Sequence, residues 1–448
     1  MKQLPPVKKN DDVLLDILSV SSESQGIAKK DGFTFFVPGT LAGEHVKAHV
    51  IKVNANYAIA KPVEFESMSC DRVRPVCSAY PQCGGCTLQH LDYSAQLKLK
   101  SQIVQDAFER IGGFSHVSVP ETLGMQDPWN YRNKGSFPLG TENGRVVFGF
   151  FSPRSHRLIP LNDCFIQNKQ ILTVLRSVCD WATENGIPTY DENTKKGILR
   201  HVVVRISSKE ELMATVVTTG PLPKKEALIE YLPQVTSLYH NVNKADTNVI
   251  FGQTFHLIHG IPALRHELLE TVFSVGPESF LQVNTLQTEI LYRTVLEFLH
   301  PMPTETILDA YCGIGTISLQ IAKSAKKVIG LEIVSQAIEN AKQNAFENGF
   351  TNVDFICGPV EKTISMLAED FDAIVVDPPR KGCDESVLHS IGQSAVPRII
   401  YVSCNPSTLA RDCCILSKYG FTLTRIQPVD LFPHTAHVET VVLLSRND

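Results

Sequence analysis

No stretch of the chain approaches the roughly 18 consecutive apolar residues of a membrane-spanning helix. The opening MKQLPPVKKNDD lacks the apolar core of a secretory leader. The cytoplasm is therefore the expected compartment, with no membrane partner. Positive charge is not in excess: Lys and Arg total 42 against 47 Asp and Glu, a formal net charge of -5. That excludes a globally basic polyanion binder, so any nucleic-acid contact must be a local patch. Gly and Pro are not abundant enough for a fibrous or disordered chain, and there is no internal repeat or low-complexity tract.

What is present is a chain of 448 residues, 43% hydrophobic and 20% charged, long enough for about three domains of roughly 150 residues each. Twelve Cys in a reducing compartment point to metal or nucleophile chemistry rather than a disulfide framework. Residues 1–67 alternate as short strands, DVLLDILSV, TFFVPGT, HVKAHVIKV and YAIAKPVEF, the pattern of a small β-barrel. A Cys-, Gly- and Pro-rich stretch, CDRVRPVCSAYPQCGGC, opens a second region at 68–265. Leu97, Val104, Phe108 and Ile111 then predict a helix over 92–113, stopped by Gly112-Gly113 and placed where it could pack on the third domain. The remainder of 68–265 reads as α+β. In 266–448 strands alternate with helices, which predicts a parallel, doubly wound, Rossmann-like α/β sheet.

Within that last domain, ILDAYCGIGT puts Gly313 and Gly315 between a strand and a helix, where backbone can approach a nucleotide-like ligand. Glu332 ends the next strand, 17 residues past Gly315, the right region for a carboxylate that accepts ribose hydroxyls. The loop has neither a third dinucleotide Gly nor a phosphate-binding Lys, which favours S-adenosylmethionine over NAD or ATP. IVVDPPRKG brings Asp377 to the sheet edge, and IIYVSCNPSTLARD places Cys404 at a strand end before a helix whose positive end favours a thiolate. DLFPHTAHVETVVLL carries His434, His437 and Glu439. Each alone also reads as an inert Cys, a solvated Glu or satisfied loop histidines.

Together FSVGPESFLQVN, DAYCGIGT, DPPRKG, SCNPSTLARD and FPHTAHVE, in that order, resemble the RNA 5-methyluridine methyltransferases, and the resemblance covers almost the whole chain. It implies Cys404 as nucleophile, Glu439 as general base, and Gln282, Tyr311, Glu332 and Asp377 as the S-adenosylmethionine contacts. Thr316 departs from relatives that carry Asn there. C5 of uracil is too weak a nucleophile to attack a sulfonium methyl unaided, so a thiolate adding at C6 and a base removing the C5 proton are both needed.

Cys77, Cys83 and Cys86, spaced C-x5-C-x2-C, with Cys164 far downstream, suit a [4Fe-4S] cluster or zinc. The resemblance to the 23S rRNA-modifying branch implies the iron-sulfur cluster, structural or RNA-positioning in role. Residues 1–67 resemble a TRAM domain, an oligonucleotide-binding-like (OB-like) barrel. In 129–160, Arg132, Lys134, Arg145, Arg154 and Arg157 face one acid, Glu142, among Tyr131, Phe137, Phe148, Phe150 and Phe151. Arg132 and Lys134, in YRNK, are the expected RNA contacts, and the aromatics either stack on bases or fill a core. The expectation is a monomeric 23S rRNA (uracil-C5)-methyltransferase. The rivals are a T-loop tRNA enzyme, an amino-group methyltransferase, which would not need Cys404, and a binding-only ribosome-assembly factor.

Overall fold

The computed structural model describes residues 5–364, Leu367 and 370–446. Five strands, β1 (Asp12–Val20), β2 (Gln25–Lys30), β3 (Phe33–Pro38), β4 (His45–Val53) and β5 (Tyr57–Ser67), close into a barrel in the order β1-β2-β3-β5-β4. Their strict alternation sends Val13, Leu15, Ile17, Val46, Ala48 and Val50 inward to a small core. The barrel is docked on the body, because Leu41 packs with Leu88, Leu91, Ile103 and Ala436. The buried Glu44 carboxylate also accepts from Arg72 Nε at 2.5 Å and Nη2 at 2.8 Å.

The Cys-rich segment that follows has little regular structure. It leads to α1 (Tyr93–Ala107), whose N-cap Asp92 accepts from the Ser94 amide. One π-helical turn, Phe108–Gly112, follows, and Gly113 ends it in the left-handed region at φ 74°. A seven-stranded sheet comes next, built from β6 (Lys134–Glu142), β7 (Arg145–Phe151), β8 (Leu158–Pro160), β9 (Leu199–Ile206), β10 (Leu212–Thr218), β11 (Ser237–Val242) and β12 (Phe255–Gly260). One face is covered by α2 (Lys169–Glu184) and the short α3 (Lys225–Tyr231). A hairpin, β13 (Leu264–Leu268) and β14 (Thr271–Val275), then leads into α4 (Thr285–Leu299).

The second large sheet contains β15 (Thr306–Ala310), β16 (Lys327–Glu332), β17 (Val353–Cys357), β18 (Ala373–Val376), β19 (Arg398–Ser403), β20 (Phe421–Val429) and β21 (Glu439–Arg446). Its order is β17-β16-β15-β18-β19-β21-β20, with all strands in one direction except β21, which runs antiparallel to both β19 and β20. The helices α5 (Thr316–Ala322), α6 (Ser335–Glu347), α7 (Val360–Thr363), α8 (Glu385–Gln393) and α9 (Pro406–Ser417) alternate with its strands. Successive strand residues serve opposite cores. Ile400 and Val402 face the side of α4 and α5, while Ile399 and Tyr401 face the side of α8 and α9. Val104, Ala107 and Phe108 complete that second side, so α1, which precedes the middle sheet in the chain, is a layer of the doubly wound unit. Among the described residues no helix is long and apolar enough to cross a membrane.

Candidate functional site

At the carboxyl edge of the parallel sheet lies a cleft of about 430 Å³, whose wall includes Phe280, Tyr311, Gly313, Thr316, Glu332 and Asp377. Its floor is the turn after β15. There Tyr311 at φ 70°, Gly313 at φ 57° and Gly315 at φ 84° bend the backbone in a way that L side chains resist. A Cβ on Gly315 would lie 2.9 Å from the Phe355 ring, so glycine is also required there for close approach. Glu332 accepts from the Gly313 amide at 3.3 Å and the Val334 amide at 2.9 Å, which fixes its carboxylate at the rim. The Thr316 hydroxyl meets the Tyr292 hydroxyl at 2.8 Å. Gln282 is not in the cleft wall; it lies two residues beyond Phe280, and its backbone carbonyl accepts from Asn133 Nδ2 at 3.1 Å.

Beside the cleft, β19 and β21 run antiparallel with Ser403 opposite Thr440. Continuing that register by one residue sets Cys404 against Glu439, two positions 35 residues apart in sequence. Burial, the Glu439 charge and Asp377 push the Cys404 thiol up to about 11, with Arg380 opposing. The expectation that the α9 N-terminus lowers this thiol's pKa is not met, because burial and two carboxyls outweigh the helix end. Burial and Asp377 raise Glu439 to about 8, and burial alone raises Asp377 to about 7. Asp309, buried under the same cleft, is raised to about 7, first by burial, with Asp377 adding to it. Three carboxyls raised by burial would be stabilised in their ionised form by a positive charge, and this donor chemistry fits a sulfonium cofactor.

Sequence reasoning did not assign a role to Arg380, which sits at the centre of this cluster. Asn405 Nδ2 and the Thr408 hydroxyl donate to its carbonyl at 3.1 and 3.4 Å, and its Nη2 donates to the His437 ring at 3.1 Å. Burial and Arg380 push His437 down to about 4, so its ring is neutral and able to accept. The basic residue following DPP was the available signal.

Arg132 and Lys134 part company. Arg132 lies close enough to depress His437 further, its Nε is buried with no hydrogen-bond partner among the described residues, and its backbone bridges Gln167 and Asn284. Lys134 is not a solvated surface cation: burial and then Arg205 push its amine down to about 7. Tyr131, Phe137 and Phe148 are buried in the core against α2, with Phe150 packed on it, so the base-stacking alternative for them is overturned.

Cys77, Cys83, Cys86 and Cys164 come into one neighbourhood. Burial lifts Cys86 to about 12 and Cys164 to about 11, and in both cases Cys83 and Cys77 add to the rise. Four soft donors that disfavour one another's thiolates suit a cationic metal centre in chemistry. Among the described residues, however, no three His, Cys, Asp or Glu side chains stand in a ligating arrangement, so an assembled [4Fe-4S] or zinc site is not part of this geometry.

A methyltransferase-type sheet, a nucleotide-sized cleft and a Cys–Glu–Asp cluster at its mouth therefore meet in one chain. Residues 263–447 match the tRNA (Uracil-5-)-methyltransferase family and residues 6–63 the TRAM domain. An uncharacterized RNA methyltransferase of Halalkalibacterium halodurans is 45% identical over 99% of this chain and 99% of its own. One from Clostridium tetani is 44% identical over 99% and 98%. The crystal structure of the Pyrococcus abyssi tRNA (uracil-54, C5)-methyltransferase in complex with S-adenosyl-L-homocysteine superposes with a TM-score of 0.80 at 27% identity, covering 96% of this chain and 99% of its own. The chain belongs to the RNA uracil-5-methyltransferase family, with a TRAM domain at its amino end. Its activity is S-adenosylmethionine-dependent methylation of RNA uracil.

Proposed function

We propose that the protein forms 5-methyluridine in 23S rRNA through a covalent adduct between Cys404 and C6 of uracil. The observation that carries the covalent chemistry is the register of β19 on β21, which faces Cys404 with Glu439 beside Asp377 and the cleft; the preference for 23S rRNA rests on the TRAM barrel together with the four cysteines. Tyr311, Glu332 and Asp377, which line the cleft, are the residues to hold S-adenosylmethionine, with Gln282, outside the cleft wall, added by the resemblance alone; when bound, the cofactor would supply an electrophilic methyl group and leave as neutral S-adenosylhomocysteine. Cys404 as thiolate forms the S–C6 bond and pushes the electron pair of the C5–C6 double bond to C5, which then carries the new methyl. Glu439 removes the C5 proton, the double bond re-forms and the C6–S bond breaks, so the thiolate is released. A carboxyl held near 8 is a base matched to that task around neutral pH. The uracil must leave its stack to reach a site this buried, so an unpaired loop nucleotide is the substrate.

The four cysteines are assigned to a [4Fe-4S] cluster, with zinc as the other metal that this donor set accepts. Anaerobic purification should yield iron and sulfide, both lost in Cys164→Ser; one zinc per chain instead would overturn the iron assignment. Arg132 is the RNA contact nearest the chemistry. The enzyme is taken to act in the cytoplasm as a monomer. The second reading is tRNA, favoured by the full-length likeness to the Pyrococcus tRNA enzyme, which shows that this architecture also serves a tRNA substrate. Incubating the protein with labelled S-adenosylmethionine, unmodified 23S rRNA and tRNA, then mapping by nuclease digestion and mass spectrometry, decides between them. Label in an rRNA fragment supports the proposal, label only in tRNA promotes the second reading, and label in neither sinks both.

A further inference from the structure

Lys134 on β6 and Arg205 on β9 are direct partners in the ladder of the middle sheet. Arg205 is only 3% exposed. Its Nη2 donates to the Ser279 carbonyl at 2.6 Å, while its Nη1 is buried with no hydrogen-bond partner among the described residues. Lys134 stands with Nζ 6.0 Å from the Phe251 ring centroid. Among the described residues neither cation has a carboxylate partner, although 20 ion pairs occur elsewhere in the fold, including the fully buried Lys100–Asp430. The nearby His266 does not supply a negative charge: its Nδ1 accepts from the Ser208 amide and its Nε2 meets the Thr285 hydroxyl.

Two adjacent cations taken out of water without a counter-ion are costly, and an arriving anion removes that cost. The place matters. Ser279, which Arg205 holds, precedes Phe280, a residue 71% exposed at the mouth of the cofactor cleft. We infer that Lys134, partly exposed on β6, is the seat for one phosphodiester of the substrate RNA, with the buried Arg205 behind it acting as a positioning residue that holds the 276–282 loop through the Ser279 carbonyl and adds positive potential. The assignment rests on the RNA reading above and adds to it a positioning residue, Arg205, and a fixed point for the backbone. Burial shifts both groups down, Arg205 to about 10 and Lys134 to about 7, and a nearby anion would oppose both shifts.

The test measures affinity of the full chain for the unmodified 23S rRNA and tRNA transcripts against salt concentration, for wild type, Lys134→Gln, Lys134→Arg and Arg205→Gln. Loss of one phosphate contact lowers the slope of log affinity against log salt by about one. Lys134→Gln should show that loss, and Lys134→Arg should restore the slope. Arg205→Gln bears on the question only where its thermal transition stays cooperative; Lys134→Gln, at a less buried position, keeps the proposal falsifiable. An unchanged slope in Lys134→Gln overturns the proposal. So does an unchanged slope accompanied by weaker S-adenosylmethionine binding without RNA, which would make the anion the cofactor's carboxylate. Failure of the parent reading is separable: no 5-methyluridine in either RNA, with the slope change intact, would leave the phosphate seat standing.

Discussion

Cys404 and Glu439 divide one reaction between them, and their substitutions should fail differently. Cys404→Ala should form neither 5-methyluridine nor an adduct. Glu439→Gln should form the S–C6 bond and stall, so that a protein–RNA species survives denaturing electrophoresis. A Glu439→Gln enzyme that turns over at the wild-type rate would assign the proton to another base. Both groups act in their deprotonated forms and both are raised, so single-turnover rates should climb as pH rises through about 8. The carboxyls also link pH to folding. Asp309, Asp377 and Glu439 hold protons in the folded, cofactor-free protein that the unfolded chain releases near pH 4. Their contribution to stability is complete below about pH 4 and is lost as pH rises through about 7 to 8. A cation bound among them reverses the penalty, so the thermal shift produced by S-adenosylmethionine should be larger at about pH 9 than at about pH 6. Equal shifts would count against the carboxyls facing the sulfonium.

At the scale of elements, the loop between β20 and β21 is where three parts of the chain converge. Lys100 of α1 reaches Asp430 in a fully buried pair and donates to the Phe432 carbonyl at 3.1 Å; the Tyr93 hydroxyl donates to Asp430 at 2.9 Å. The Thr87 and Leu88 amides, immediately after Cys86, donate to the His434 carbonyl at 3.0 and 2.9 Å. Trp129 stacks on the His434 ring at 3.7 Å between centroids. The loop that delivers His437 and Glu439 is thus held by α1, by the cysteine segment and by the middle region together. Lys100→Met leaves Asp430 buried and unpaired, which should cost about 3–5 kcal/mol in urea unfolding. Replacing both partners with apolar residues of similar volume should recover most of it. A loss under about 1 kcal/mol for Lys100→Met would mean that water reaches the pair.

For the whole molecule, the barrel is fastened rather than tethered. Arg72 bridges Glu44 and the Gly39 carbonyl at 2.8 Å, and the Ser24 and Thr87 hydroxyls meet at 2.7 Å, tying the barrel to the cysteine segment. The barrel therefore holds its RNA-binding faces at a set distance from the cleft. Arg72→Met strands a buried carboxylate at this joint. The expected result is a barrel that proteases release early while S-adenosylmethionine affinity stays within about twofold, since the cleft is built entirely from other elements. Proteolysis at the wild-type rate would show that the apolar contact of Leu41 with Leu88 and Leu91 suffices on its own.

The barrel and the doubly wound sheet are legible in the chain because both are written in local periodicity: alternation at every second residue in 12–67, and strand–helix alternation after 300. The cleft is legible because Gly313, Gly315 and Glu332 lie in one strand–turn–helix–strand unit. Arg205 and Lys134 could not be read as a pair, since the pairing of β6 with β9 spans some 70 residues and no local pattern records it. Nor could the direction of the Cys404 shift: the helix N-terminus is a local feature, whereas the opposing carboxyls arrive from β18 and β21. The chain suggested that α1 could pack on the doubly wound unit, but which of its two faces α1 covers was hidden, because its apolar stripe specifies only that it must be covered. Sequence determined which chemistry the residues can do and which segments are strand or helix. Tertiary structure alone decided which charges are buried together, because burial and Coulomb interaction depend on distance in space rather than along the chain.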